Sequence, residues 1–163
     1  MAQTTDDGLK EGDLAPDFAL AANTGNTVSL HDFRGKQAVV LYFYPKDDTP
    51  GCTIEACGFR DTFAAYEKAG AVILGVSFDN LTSHKKFADK FSLPFPLLSD
   101  ESQAVSKAYG VYKLKKMYGK EYWGIERTTF LIDKHGRIAK IYPKVKVDDH
   151  HHQVLKDIKT LPS

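Results

Sequence analysis

The stretch Ala38-Val39-Val40-Leu41-Tyr42-Phe43-Tyr44 runs directly into Pro45-Lys46-Asp47-Asp48-Thr49-Pro50-Gly51-Cys52-Thr53-Ile54-Glu55-Ala56-Cys57. Its first part is continuously apolar or aromatic, as a strand covered on both faces should be. Thr49 suits an N-cap and Pro50 the first helical position, so a helix is expected from Pro50 to about Ala69, just before Gly70. A buried strand feeding a helix is the start of an α/β arrangement.

The only two cysteines of the 163-residue chain lie in this stretch. A thiolate in the first turn of a helix is stabilised by unpaired backbone N–H groups and by the positive end of the dipole. Cys52, Ala56, Phe59, Phe63 and Tyr66 follow a helical spacing and share one face, so Cys52 points with the aromatics toward the protein body. Cys57 lies about 140° around the same helix. Five residues apart on a regular helix, the two Cα atoms stand ~8.7 Å from each other. A disulfide needs them closer than about 7 Å. The pair therefore bonds only if the first turns unwind, which suits a cycling disulfide better than a static one. The alternative is two cysteines acting as small apolar residues.

Working outward, Phe18-Leu20 and Val28-Leu30 read as two short strands around the turn Asn23-Thr24-Gly25-Asn26, and a helical turn starts at Ser29 or Asp32. Downstream, the pattern predicts strand 71–78, helix 83–91, a short strand 95–98 and helix 102–109. Residues 113–124 read as irregular. Strands 128–132 and 137–142 pair around Asp133-Lys134-His135-Gly136. Asp148 or Asp149 caps a last helix carrying Val154, Leu155, Ile158 and Leu161. The result is an α/β sheet covered by helices on both faces, in one domain spanning 13–163 behind a loose tail, 1–12.

Composition narrows the function. Hydrophobic residues make up 42% and charged residues 26%, as in ordinary soluble domains. A net charge of +1 gives no field for general nucleic-acid or membrane-surface binding. No apolar run approaches the ~20 residues that span a bilayer. Two cysteines do not make a secreted framework, and the polar start is no secretion signal, so the cytoplasm is expected, with an organelle after transit-peptide removal as the alternative. His150-His151-His152 invites a metal reading, but consecutive helical histidines diverge, and no metal site is expected. Lys113-Leu114-Lys115-Lys116 reads as a solvated run.

Pro45 through Cys52 matches the Pro-x-x-x-Thr-x-x-Cys pattern of peroxiredoxins, and Thr53-Ile54-Glu55-Ala56-Cys57 resembles their Q-type branch, also called bacterioferritin comigratory protein. The likeness extends from about Gly12 to Ile158, through Ala15-Pro16-Asp17-Phe18, Val76-Ser77-Phe78-Asp79, Ser83-His84, Phe95-Pro96-Leu97-Leu98-Ser99-Asp100 and Arg127-Thr128-Thr129-Phe130-Leu131-Ile132-Asp133. It implies a thioredoxin-like fold with an N-terminal β-hairpin extension. It also implies reduction of hydrogen peroxide and organic hydroperoxides with electrons from thioredoxin or a similar dithiol, and no metal, haem or flavin cofactor.

By that resemblance Cys52 is the peroxidatic nucleophile and Cys57 the resolving thiol, paired within one chain so that a monomer suffices. Arg127 supplies the cation, its planar donors serving sulfur and peroxide oxygen together; a strand-end surface charge is the alternative. Thr49 caps the helix or, by the resemblance, binds the substrate oxygen. Pro45 holds a rigid turn and shields Cys52 from water. Glu55, one turn after Cys52, either organises Arg127 or Thr49 or is a solvated first-turn carboxylate. Three rivals stand beside this reading: a thiol–disulfide exchanger, although Gly51 replaces the tryptophan usual before Cys-x-x-Cys; a non-enzymatic redox sensor or chaperone; and a zinc-binding module.

Overall fold

From the N-terminal side, β1 (Ala19–Ala21) and β2 (Thr27–Ser29) form a short antiparallel hairpin that leads into a 3₁₀ turn, Leu30–Phe33. There follow β3 (Ala38–Phe43), α1 (Pro50–Asp61), α2 (Phe63–Lys68), β4 (Ala71–Ser77), α3 (Leu81–Phe91), β5 (Leu97–Ser99) and α4 (Ala104–Ala108). The chain ends with β6 (Tyr112–Met117), β7 (Lys120–Ile125), β8 (Thr128–Ile132), β9 (Ile138–Tyr142) and α5 (His150–Ile158). This is a computed structural model, and it describes residues 8–161.

The central sheet has the order β5-β4-β3-β8-β9, with β3, β4 and β5 parallel and β8 and β9 antiparallel. Strand β3 is buried along its whole length, and its side chains alternate between two cores. Val40, Tyr42 and the following Tyr44 face Phe59, Tyr66, Phe87 and Val154 under α1, α2, α3 and α5. Val39, Leu41 and Phe43 face Phe18, Leu30 and Tyr109, contributed by the N-terminal segment and the end of α4. The expected mixed α/β, thioredoxin-like architecture is present, with four helices on one face and α4 sharing the other with the N-terminal hairpin.

Four local expectations need correction. The single helix through Ala69 is broken at Thr62, whose hydroxyl donates to the Gly58 carbonyl at 2.8 Å and whose backbone leaves helical geometry. Phe63 is consequently only partly buried, while Tyr66 reaches the core. Helix α3 starts at Leu81 rather than Ser83, because the Asn80 side chain accepts the Ser83 N–H at 2.9 Å. The segment 113–124 is no irregular excursion but the β6–β7 hairpin, turned by Tyr118 and Gly119 with φ of +53° and +77°. Positive φ at both central residues is the geometry of a two-residue hairpin turn. Finally, Asp149 stands at the N-cap of α5, but its carboxylate pairs with His152 rather than capping.

Of the expected tail 1–12, residues 1–7 lie outside the described residues. Gly12 donates its N–H to Ile138 at 2.7 Å, Glu11 accepts from the Ile141 N–H at 3.2 Å, and Leu9 packs on the second core. Among the described residues no helix is long and apolar enough to cross a membrane.

The three histidines at the start of α5 part company. His150 is buried, its Nε2 facing Thr129 Oγ1 at 2.9 Å and its Nδ1 facing Gln153 Oε1 at 3.3 Å. His151 and His152 do come together, with ring centroids 4.2 Å apart and Asp149 beside them, so the expectation that all three diverge holds only for His150. Burial drives His150 down to about 4. Between the ordinary value near 6.5 and that value, the unfolded chain takes up a proton that the folded chain refuses. Stability therefore falls as pH drops from 6.5 toward 4, by up to about 1.4 kcal/mol per pH unit from this group. Chemical denaturation of His150→Gln across that window should show a smaller acid-induced loss than wild type; equal slopes would mean that His150 is not held neutral.

Candidate active site

The loop after β3 and the first two turns of α1 build the site. Pro50 occupies the first helical position, and the Thr49 carbonyl accepts the first helical bond, from the Thr53 N–H at 2.8 Å. The Thr49 hydroxyl does not cap the helix; it donates back to the Lys46 carbonyl at 2.9 Å and ties the loop to itself. Cys52 follows within the first turn, buried at 1% exposure, whereas Cys57 is half-buried. The two thiols are free and occupy different environments on one regular helix, as the spacing predicts.

Arg127 arrives from the junction of β7 and β8, where its carbonyl accepts the Val145 N–H at 2.9 Å. Its Nη2 donates to Cys52 Sγ at 3.3 Å and its Nη1 to Glu55 Oε1 at 2.7 Å. Arg127 is therefore no surface charge, and Glu55, 1% exposed, is no solvated first-turn carboxylate. Gly51 has a local reason: a Cβ there would stand 3.2 Å from Arg127 Nη2, so a side chain would crowd the guanidinium.

Burial is the largest single influence on each member of this pair, but it wins only at Glu55. It pushes Glu55 up to about 7 even though Arg127 pulls the other way, and Glu55 Oε2 is buried without a hydrogen-bond partner. Burial also opposes the charge on Arg127, but the nearby Glu55 and Cys52 outweigh it and hold the guanidinium above its ordinary value. Lys115, expected in a solvated run, instead directs Nζ to the Ile125 carbonyl at 2.9 Å. Burial lowers its pKa, and so does the charge of Arg127.

A second polar cluster lies just upstream, and the sequence reading assigns it no role. Asp47, in the middle of the Pro45–Thr49 loop, accepts from Tyr44 Oη at 2.5 Å and Ser83 Oγ at 2.8 Å and meets His84 Nδ1 at 2.7 Å. Its own N–H donates to Asp79 Oδ2 at 2.8 Å. The one signal of this in the sequence is Ser83-His84 at the buried side of an otherwise polar helix start.

The chain has many known relatives. Residues 12–141 match the model of the AhpC/TSA family. The chain belongs to that family. Peroxiredoxin Bcp of Bacillus subtilis is 53% identical over 153 residues, covering 94% of this chain and 97% of that protein. Peroxiredoxin Bcp of Escherichia coli is 46% identical over 151 residues, covering 93% and 96%. Among solved structures, peroxiredoxin Q of Xanthomonas campestris superposes with a TM-score of 0.83 at 44% identity, covering 87% of this chain and 89% of that one. Likeness of this depth along nearly the whole chain makes it a peroxiredoxin, a peroxidase of the oxidoreductase class.

Glu55 supplies a stability test with a definite sign. Its folded pKa of about 7 lies above the ordinary 4.5, so the folded chain holds a proton that the unfolded chain has lost between those values. The stability this group contributes is complete below 4.5 and is lost as pH rises through 7, opposite in sign to the contribution of His150. Glu55→Gln should remove a decline of up to about 1.4 kcal/mol per pH unit in that window. Denaturation at pH 5 and pH 7.5 checks this, and an unaltered difference between the two would place Glu55 ionised throughout.

Proposed function

We propose that this peroxiredoxin reduces hydrogen peroxide and organic hydroperoxides through Cys52, resolves the product with Cys57 in the same chain, and is recycled by thioredoxin or a similar dithiol. The supporting observation is the part-buried bridge Cys52–Arg127–Glu55, which joins a helix-start sulfur to a planar cation.

In the first step the Cys52 thiolate attacks one oxygen of the peroxide. The O–O bond breaks, an S–O bond forms, and the other oxygen leaves as hydroxide or alkoxide that takes up a proton. Sulfur is oxidised to the sulfenic acid and the peroxide is reduced to water or an alcohol. Arg127 donates to the sulfur and, from the same plane, to the oxygen on which charge develops. Glu55 holds the guanidinium in that plane. Thr49 orients the substrate oxygen, and Pro45, with no N–H to offer, keeps water from the sulfur. In the second step the Cys57 thiol displaces hydroxide from the sulfenic sulfur, forming the disulfide and releasing water. The partner dithiol then reduces that disulfide and leaves as a disulfide itself.

Because both sulfurs lie in one chain, a monomer completes the cycle, and a reducing cytoplasm supplies the dithiol. The chemistry takes no metal, haem or flavin. A Cys-x-x-Cys exchanger is disfavoured by the five-residue spacing on a continuous helix, and a sensor would need no substrate-facing cation.

The test is NADPH-linked peroxide consumption with thioredoxin and its reductase. Cys52→Ser should lose activity altogether, because an alcohol is a poor nucleophile at neutral pH. Cys57→Ser should keep one oxidation per chain and lose turnover. Arg127→Ala should slow single-turnover oxidation by about 10²–10³-fold. Full turnover by Cys52→Ser would end the assignment.

A further inference from the structure

We propose that Asp47 and His84 are a positioning pair that fixes the Pro45–Thr49 loop against the β4–α3 corner, independently of helix α1, and so sets the place at which peroxide meets Cys52. The proposal rests on the Cys52 reading above and adds to it residues that do not touch the sulfur.

Asp47 lies two residues from Pro45 and two from Thr49, with its side chain 4% exposed. Each polar partner it has lies outside α1: Tyr44 at the end of the central strand, Ser83 and His84 on α3, and Asp79 after β4. Asp79 is itself held by Ser77 Oγ at 2.6 Å, and His84 Nε2 sits 2.9 Å from the Leu98 carbonyl. That carbonyl can only accept, so His84 carries a proton on Nε2 and turns Nδ1 to Asp47. The histidine thereby joins the β5 backbone to the loop.

A buried carboxyl group with this many partners tolerates little movement, because each lost bond leaves a desolvated polar atom behind. The next residue, Asp48, has a left-handed φ of +57° and pairs with Lys90 at 2.9 Å. Such a conformation persists where its surroundings over-determine it. Thr49 hangs on this fixed loop through its bond to Lys46, and α1 hangs on Thr49 through the Thr53 N–H. The anchor thus remains in place when the first turns of α1 open, and the helix closes again onto a fixed start.

A purely structural buried pair would lower stability alone, so the test separates the two chemical steps. In a Cys57→Ser background, stopped-flow oxidation of Cys52 by hydrogen peroxide is compared for the parent, Asp47→Asn, His84→Gln and the milder Ser83→Ala. In chains that keep Cys57, the rate of disulfide formation is followed as well. Misplacing the loop should slow oxidation by at least about tenfold in Asp47→Asn and His84→Gln. Ser83→Ala, which removes a single bond and spares the fold, should slow it less. Disulfide formation should keep its rate or gain. Oxidation at the parent rate in all three variants, or an equal slowing of both steps, would overturn the anchor. A parent whose Cys52 leaves peroxide untouched would overturn the Cys52 reading and the anchor with it; a reacting parent matched by its variants overturns the anchor alone.

Discussion

A regular helix holds residues five apart at ~8.7 Å between Cα atoms, and a disulfide closes only below about 7 Å. Cys52 and Cys57 share one regular helix, so a bond between them requires that helix to open. The surroundings of α1 divide along that line. Beyond Cys57, Gly58 lies so close under α5 that a Cβ would stand 2.3 Å from His151 Nδ1. Phe59 is fully buried, with its ring 4.9 Å from Tyr42 and 5.7 Å from Tyr66. Pulling such a ring into water costs about 1.5–3 kcal/mol. Before Cys52, the Asp47 cluster ties the loop to α3 and β4. Between these two anchored ends lie Pro50 to Cys57, the residues that would have to move.

Burial of Glu55 bears on the same equilibrium. A carboxylate pushed up to about 7 and left with one oxygen unpartnered is an uncomfortable tenant of the core near neutral pH. Opening the first turns would return it to water, which offsets part of the cost of exposing Cys52 and Ala56. The Arg127 bond opposes that release and favours the closed helix. One residue thus serves the closed site through Arg127 and eases its opening through its own desolvation.

Much of this was legible in the residues. The unbroken apolar run at Ala38–Tyr44 announces a strand buried on both faces, and Thr49-Pro50 announces the helix start. The 3.6-residue period puts Cys52 inside and Cys57 to one side. Arg127 is different: it lies 75 residues from Cys52, and no periodicity links them, so only the family likeness could nominate it. What stayed hidden was decided by side-chain hydrogen bonds. The Thr62 hydroxyl breaks a helix that the apolar spacing would continue. The Thr49 hydroxyl turns to Lys46 instead of the helix. Lysines mask the strand alternation of β6 and β7, which Leu114–Trp123 pairing and Tyr112–Trp123 stacking at 5.4 Å support. Ser83-His84 hints that α3 buries a polar face, but only the packing of α3 against the loop reveals that Asp47 is its partner.

The opening of α1 is most directly measured by amide hydrogen exchange on reduced and peroxide-oxidised protein under matched conditions, with the Cys52–Cys57 bond established by mass spectrometry. The account predicts faster exchange from Thr53 to about Asp61 in the oxidised form, because opening through Cys57 removes the carbonyls that accept from N–H groups four residues on, with protection retained in α2 and along Ala38–Phe43. An oxidised protein that carries the intrachain bond and still protects the first turns of α1 as the reduced form does would contradict it, as would a bond found only between chains.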